Sequence, residues 1–317
     1  MLVTGASGFV GAALLENVLA TERFSVIAPT RTPLADAPRL VQVPIENLDG
    51  QTPWQAIFTS PIDVVVHCAA RVHVMDEAAK DPLAEFRRVN VQGTLNLARH
   101  AAEAGVKRFI FLSSIKVNGE STESGHAFTP DYFVPPTDPY GRSKWEAEQQ
   151  LHALAAESGM EVVVIRPVLV YGPGVRANFR SMMNWLVKGV PMPLGAIDNR
   201  RSLVSVVNLV SLMVCCIDHP AAANQTFLVS DGEDISTPQL LSRLGIHLGR
   251  KPVLLPVPQR LLYLAGALLG KRAMVERVCG SLQVDIAKTR NLLGWSPVVS
   301  LESALKMTAV DFLENIK

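Results

Sequence analysis

The sequence carries almost no charge imbalance: its 317 residues hold 30 Lys and Arg against 29 Asp and Glu, a formal net charge of +1. A basic excess able to grip nucleic acid is absent, and no run of like charge reads as an interaction tail. Cysteine is scarce too. Cys68, Cys215, Cys216 and Cys279 form no Cys-x-x-Cys pair and sit in apolar stretches. That excludes a disulfide framework and a zinc ribbon, and it fits buried thiols in a reducing, cytoplasmic setting. The histidines at 67, 73, 100, 126, 152, 219 and 247 lack metal-ligand spacing, so no metal centre is expected. No unbroken apolar run is long enough to span a bilayer. Val253–Leu269 comes nearest, but Pro256, Pro258 and Arg260 interrupt it, and it is expected as a core element, with membrane-surface contact as the lesser alternative. Internal repeats, low-complexity segments and a basic leader with a cleavage site are missing as well.

What is present is 48% hydrophobic and 19% charged, the composition of a globular chain with ample core. Its organising stretch is Met1-Leu-Val-Thr-Gly-Ala-Ser-Gly-Phe-Val-Gly11. Leu2–Thr4 read as the end of a buried strand, short enough to suggest a few residues upstream. Gly5, Gly8 and Gly11 follow at three-residue steps, and Ala12–Leu19 continue as an apolar helix. A strand, a tight turn and a helix start let the backbone approach a pyrophosphate and offer it free N–H groups and a favourable dipole. Gly5, Ser7, Gly8, Phe9 and Val10 are then the expected contacts, against the alternative of a glycine turn with no ligand.

Downstream, strand and helix periods alternate. Strands are expected at Phe24–Ala28, Leu40–Val43, Asp63–Cys68, Arg108–Leu112 and Val162–Arg166, with helices at Trp54–Thr59, Pro82–Ala104 and Tyr140–Ser158. This pattern predicts an α/β fold, a doubly wound parallel sheet that binds ligands beyond the carboxyl ends of its strands. Beyond Tyr171 come helices at Asn178–Lys188, Val207–Asp218 and Thr237–Leu248, with short strands at Ser202–Val206 and Phe227–Val229.

The strand-end rule selects a handful of residues. The second strand ends at Thr30-Arg31 with no acid to hold ribose hydroxyls; Arg31 suits a 2′-phosphate and favours NADP over NAD, although it reads equally as a solvated loop arginine. Ala69 and Ala70 are small enough for a cofactor to lie against them, and His67 beside them reads as a packed histidine rather than a catalyst. Asn90 needs a hydrogen-bond partner if buried, and otherwise faces water. Ser113 and Ser114 reach the sheet edge as functional hydroxyls or as turn chemistry. Tyr140 and Lys144 stand one helical turn apart, so the ammonium favours phenolate in a side chain whose ordinary pKa of about 10 makes it a poor acid–base group at neutral pH.

Thr4-Gly-Ala-Ser-Gly-Phe-Val-Gly11, His67-Cys-Ala-Ala70, Asn90-Val-Gln-Gly-Thr94, Ser113-Ser114 and Tyr140-x-x-x-Lys144, in this order, resemble the extended short-chain dehydrogenase/reductase family. Arg166-Pro-Val-Leu-Val-Tyr-Gly-Pro173 and Leu293-Gly-Trp-Ser-Pro297 extend the likeness over nearly the whole chain. The resemblance implies an NAD(P)-dependent enzyme of nucleotide-sugar chemistry, with a Rossmann-type domain mainly in 1–171 and a smaller mixed α/β substrate domain mainly in 172–317. By that likeness Tyr140 is the acid–base and Lys144 holds the nicotinamide ribose. Ser114 bonds the reacting oxygen, Asn90 supports the lysine through water, and Ser113 and Pro167 join the cofactor contacts. Asn178 and Arg201 resemble the residues that hold a nucleotide diphosphate, with Arg200 a possible substitute. A homodimer is also implied. The loop Asn118–Pro139, long for a connector, is expected to fold over the sugar site.

Departures narrow the reaction. Ile115 and Lys116 stand where 4,6-dehydratases carry an Asp-Glu pair, which argues against dehydration. Asn118 and Leu169 stand where epimerases of the UDP-galactose type usually have tyrosine and asparagine. Arg71-Val-His-Val-Met-Asp76, Ser114-Ile-Lys-Val-Asn-Gly119 and Arg166–Tyr171 look most like the branch reducing UDP-4-keto-6-deoxy-N-acetylglucosamine to UDP-N-acetylquinovosamine for surface polysaccharide. A 4-epimerase of UDP-glucose or UDP-N-acetylglucosamine is the alternative. A dehydrogenase of a sterol-like alcohol would not need Asn178 and Arg201, and a non-catalytic NADP sensor would not need the intact Ser114, Tyr140 and Lys144.

Overall fold

A computed structural model describes residues 1–72, 81–123, 125–132 and 134–316, so most of the motif that begins at Arg71 lies outside the described residues. β1 (Leu2–Thr4) leads into α1 (Phe9–Ala20), followed by β2 (Val26–Thr30), β3 (Leu40–Pro44) and β4 (Val64–His67). α2 (Pro82–Phe86), a π-helical segment (Arg87–Gly93) and α3 (Thr94–Glu103) run on without a break to β5 (Arg108–Leu112); α4 (Pro139–Ser158) then precedes β6 (Glu161–Pro167). The second half holds β7 (Leu169–Tyr171), α5 (Ala177–Val187), β8 (Arg201–Ser205), α6 (Val206–Asp218), β9 (Thr226–Val229) and β10 (Asp234–Ile235). Five helices finish the chain: α7 (Thr237–His247), α8 (Gln259–Leu268), α9 (Arg272–Cys279), α10 (Ala287–Leu293) and α11 (Leu301–Glu314).

Seven strands form one sheet in the order β3-β2-β1-β4-β5-β6-β9, and every pair in it is parallel. The period-two alternation of each strand divides the core. Val3, Val66, Ile110 and Val163 face α1 and α6, whereas Leu2, Val65, Phe109 and Val162 face α3 and α4. Chain order reverses between β1 and β4, whose register sets Thr4 opposite His67. That reversal opens the crevice where a doubly wound sheet takes its ligand. A smaller sheet, β10-β8-β7, pairs β8 antiparallel to β10 and parallel to β7, and packs a third core of Phe179, Met183, Leu241, Leu244 and Leu305.

Two elements depart from the sequence expectation. Trp54–Thr59 is not a full helix but a single 3₁₀ turn at Trp54–Ala56, set between Pro53 and Pro61, with the indole fully buried. Val253–Leu269 is not a core element: its prolines keep the first half out of helix, and the second half becomes α8, with Leu261, Leu264 and Leu268 exposed.

The sheet is pinned to α4 by a buried ion pair. Arg166 on β6 grips the Glu148 carboxylate through Nε (3.0 Å to Oε1) and Nη2 (2.6 Å to Oε2), and the Ser113 hydroxyl donates to the same carboxylate. The arginine's Nη1 reaches Asn118 Oδ1 at 3.0 Å and the Pro130 carbonyl at 3.1 Å. Removing one partner of such a pair strands the other charge in the core. Glu148→Gln should therefore lower unfolding free energy by roughly 3 kcal/mol in a urea titration. A midpoint unchanged at constant slope would show that the pair does not hold α4 in place.

Candidate active site

The glycine turn closes on itself, Gly8 N donating to the Gly5 carbonyl at 2.8 Å. Gly5 has φ +71°, and a Cβ there would stand 2.7 Å from the Ala69 nitrogen; one on Gly11 would stand 2.1 Å from the Gly5 carbonyl oxygen. Only glycine lets α1, the turn and the end of β4 come this close. No side chain caps the α1 N-terminus, whose preceding residue is Gly8. Its first N–H groups are thus left for an anion. Ser7 and Gly8 are exposed, Phe9 and Val10 half-buried, and Ala69 and Ala70 line the neighbouring strand end with small, half-buried side chains. These residues fit a dinucleotide pyrophosphate.

His67 closes the floor of the crevice. Its Nδ1 pairs with Thr4 Oγ1 at 2.7 Å and its Nε2 with Thr94 Oγ1 at 2.9 Å, while the ring stacks on Phe111. Burial first, and Lys144 second, push its pKa down to about 3, so it stays neutral and structural.

The reactive side chains come from β5 and α4. Asp138 caps α4 by accepting from Gly141 N at 3.1 Å, and Pro139 sets the first turn. Tyr140, Lys144 and Glu148 then follow at i, i+4 and i+8 on one helix face. Lys144 is buried; its ammonium donates to the Leu112 carbonyl at 2.8 Å and lies 4.4 Å from the centre of the Phe111 ring. Burial outweighs the attraction of Glu148 and lowers its pKa to about 8. Ser114 is a hydrogen-bond partner of the Tyr140 phenol and draws its pKa down, and Phe86 packs edge-on against that ring at 5.9 Å. The expected depression by Lys144 is not found: desolvation by burial dominates and raises the phenol to about 12, with Asp138 adding to the rise, while the ammonium donates to the β5 carbonyl.

Asn90 is buried in the π-helical segment. Its Oδ1 accepts from Arg71 N at 2.8 Å, and its Nδ2 donates to Arg71 O at 3.0 Å and Ser143 Oγ at 2.9 Å. Ser143 in turn donates to the Tyr140 carbonyl at 2.8 Å, so Asn90 braces α4 between the tyrosine and the lysine without touching the ammonium. Ser113 turns to Glu148, Pro167 is buried at the end of β6, and Arg31 is exposed just beyond β2.

The residues matched to a diphosphate lie in the second half. Asn178 is exposed on the first turn of α5. The half-buried Arg201 at the head of β8 sends Nη1 to the Arg277 and Gly280 carbonyls, 2.9 Å each. The loop after Asn118 reaches toward this half: Thr122 N bonds Ser281 O at 2.9 Å and Phe128 N bonds Gln283 O at 2.8 Å. Asn118 shapes that loop by donating to the Thr129 and Tyr132 carbonyls, 2.9 Å each. Sequence reasoning missed Glu148, although its spacing from Tyr140 and Lys144 marks it as facing the same way.

A family model described as NAD dependent epimerase/dehydratase family matches residues 1–230. The chain belongs to that family. It is an enzyme class that works with a nicotinamide dinucleotide. The chain is 48% identical over 315 residues to the UDP-glucose 4-epimerase of Vibrio cholerae, covering 99% of this chain and 95% of the relative. The crystal structure of the UDP-glucose 4-epimerase of Thermotoga maritima with UDP-glucose superposes with a TM-score of 0.79 at 24% identity, over 100% and 99% of the two chains. That of the UDP-glucuronic acid 4-epimerase of Bacillus cereus with NAD gives 0.80 at 21% identity, over 100% and 99%. Both share the fold. These relatives support the family and not the UDP-N-acetylquinovosamine branch expected from the short motifs, whose 73–76 portion also lies outside the described residues.

The buried lysine has a measurable signature. Between pH about 8 and 10.5 the unfolded chain holds a proton on Lys144 that the folded chain has released, so folded stability gains with rising pH in this window. Relative to Lys144→Met, the wild-type protein should gain stability on going from pH 8 to 10, as read from urea midpoints. A difference that stays flat or falls would show that the ammonium is not desolvated.

Proposed function

We propose that this enzyme is a 4-epimerase of a UDP-sugar, on the single ground that the Ser114, Tyr140 and Lys144 constellation occurs in a chain 48% identical, end to end, to a UDP-glucose 4-epimerase. The Gly5–Gly8 turn and the α1 N-terminus would hold the cofactor pyrophosphate and Lys144 the nicotinamide ribose, with Asn90 bracing the helix behind it. A nicotinamide held by these residues would supply the hydride acceptor and donor that the reaction needs, and in its oxidised form a positive charge. Tyr140 takes the proton of the sugar 4-hydroxyl as its C4–H bond breaks, and Ser114 steadies the oxygen as it becomes a carbonyl. After the keto sugar has turned over, the same phenol returns the proton while C4 is reduced on the opposite face. Asn178 and Arg201 anchor the diphosphate, so that the sugar swings while its nucleotide stays fixed. Arg31 and the absence of an acid at the end of β2 tip the adenosine ribose toward a 2′-phosphate, though the family description names NAD.

A one-way reductase of a 4-keto-6-deoxy UDP-sugar is the second reading. One observation favours it: Asn118 is buried, with its amide committed to loop carbonyls and Arg166, where UDP-galactose-type epimerases usually carry a tyrosine. The two readings separate in one assay. Given UDP-glucose or UDP-N-acetylglucosamine, the enzyme should equilibrate C4 epimers seen by proton NMR with no net change in reduced-cofactor absorbance. Tyr140→Phe should cut this rate by about 10³-fold. Stoichiometric oxidation of NADPH by UDP-4-keto-6-deoxy-N-acetylglucosamine, with no epimer formed from either sugar, would overturn the epimerase in favour of the reductase.

A further inference from the structure

The α8–α9 hairpin turns leucines toward solvent. Leu261, Leu264, Ala265 and Leu268 fall at i, i+3, i+4 and i+7, one stripe along α8, and Leu268 is 80% exposed. The opposite side of the helix carries Gly266, where a Cβ would stand 2.6 Å from Val275 on α9. Close packing through that glycine spends one face of α8 on α9 and leaves the leucine face outward.

The charge of the segment that carries the stripe, 250–277, is one-sided. Arg250, Lys251, Arg260, Lys271, Arg272 and Arg277 are all exposed, against the single acid Glu276, itself held by Arg272 at 2.9 Å. The rest of the chain holds 24 basic residues against 28 acidic ones. Segment 250–277 is thus a cationic, apolar-faced stretch in a chain whose remainder has the opposite sign. Two copies meeting through it would set like charges against each other, whereas a phosphate-bearing surface would neutralise them.

We propose that this hairpin docks on the surface of an anionic phospholipid bilayer, with the α8 leucines at the headgroup–acyl boundary and the cations at the phosphates. No helix among the described residues is long and apolar enough to cross a membrane. α8, ten residues and so about 15 Å long, lies in the interface plane instead. The hairpin is not loosely hung: Arg201 and Asn199 bond the Gly280 carbonyl at 2.9 and 3.0 Å, and Asn199 also holds the Val278 carbonyl. Docking therefore orients β8 and its arginine with respect to the membrane.

Flotation with vesicles of phosphatidylcholine, with and without phosphatidylglycerol, tests this. The wild-type protein should float with the anionic vesicles, more weakly as salt is raised, and stay behind with the neutral ones. Replacing Leu261, Leu264 and Leu268 together by Ser should abolish flotation while turnover is unchanged. Arg260→Gln with Lys271→Gln should weaken vesicle binding by roughly 30-fold. A wild-type protein that stays in solution, or variants that float as well as it does, would overturn the proposal. So would a leucine variant that alters molecular mass, as for a contact between copies, or turnover, as for a lid.

Discussion

The reactive end of this protein depends on one buried cation. The Lys144 ammonium has been taken out of water and set on the Leu112 carbonyl, with the Phe111 ring beneath it. Such a group is held only by a scaffold that is already rigid. Glu148, one turn further along α4, supplies the compensating negative charge, and Arg166 and Ser113 fix that carboxylate in turn. Because α4 places Tyr140, Lys144 and Glu148 on one face, this network also decides where the phenol stands. Asn90 and Ser143 lock the same turn from the other side.

The cofactor end rests on a different constraint, the closeness of three backbones. Gly5, Gly11 and the end of β4 meet where a Cβ would collide. The order reversal between β1 and β4 brings the glycine turn and the β5–α4 constellation to the same edge of the sheet, where a doubly wound fold takes its ligand. The two halves of the candidate site are thus built by sheet topology and by helix spacing.

Much of this is legible in the sequence for a physical reason. Strands buried on both faces read as continuous apolar runs, so Arg108–Leu112 emerges with the limits it has in the fold, and the helix expected at Tyr140–Ser158 begins one residue earlier, at Pro139. Other features leave weaker traces. The π-helical turn in Arg87–Gly93 keeps the same apolar periodicity as an α-helix, so nothing in the residues reveals the step that presents Asn90 to Arg71 and Ser143. Periodicity alone also misplaces Val253–Leu269, since an apolar stripe has the same spacing whether it faces a core or solvent. The direction of the Tyr140 shift is hidden as well, because it is set by burial of the phenol, which the spacing to Lys144 does not report.

The phenol is where the account is most exposed. Burial first, and Asp138 after it, hold Tyr140 near 12 despite the Ser114 hydrogen bond, too high for a neutral-pH base, and the chemistry proposed requires the positive charge of an oxidised nicotinamide to lower it. An ultraviolet phenolate titration of the wild-type protein, corrected by the same titration of Tyr140→Phe to cancel Tyr132, Tyr171 and Tyr263, reads that phenol alone. Without cofactor it should ionise near 12; saturated with oxidised cofactor, it should ionise more than about one unit lower. A titration that is the same with and without cofactor would contradict the account.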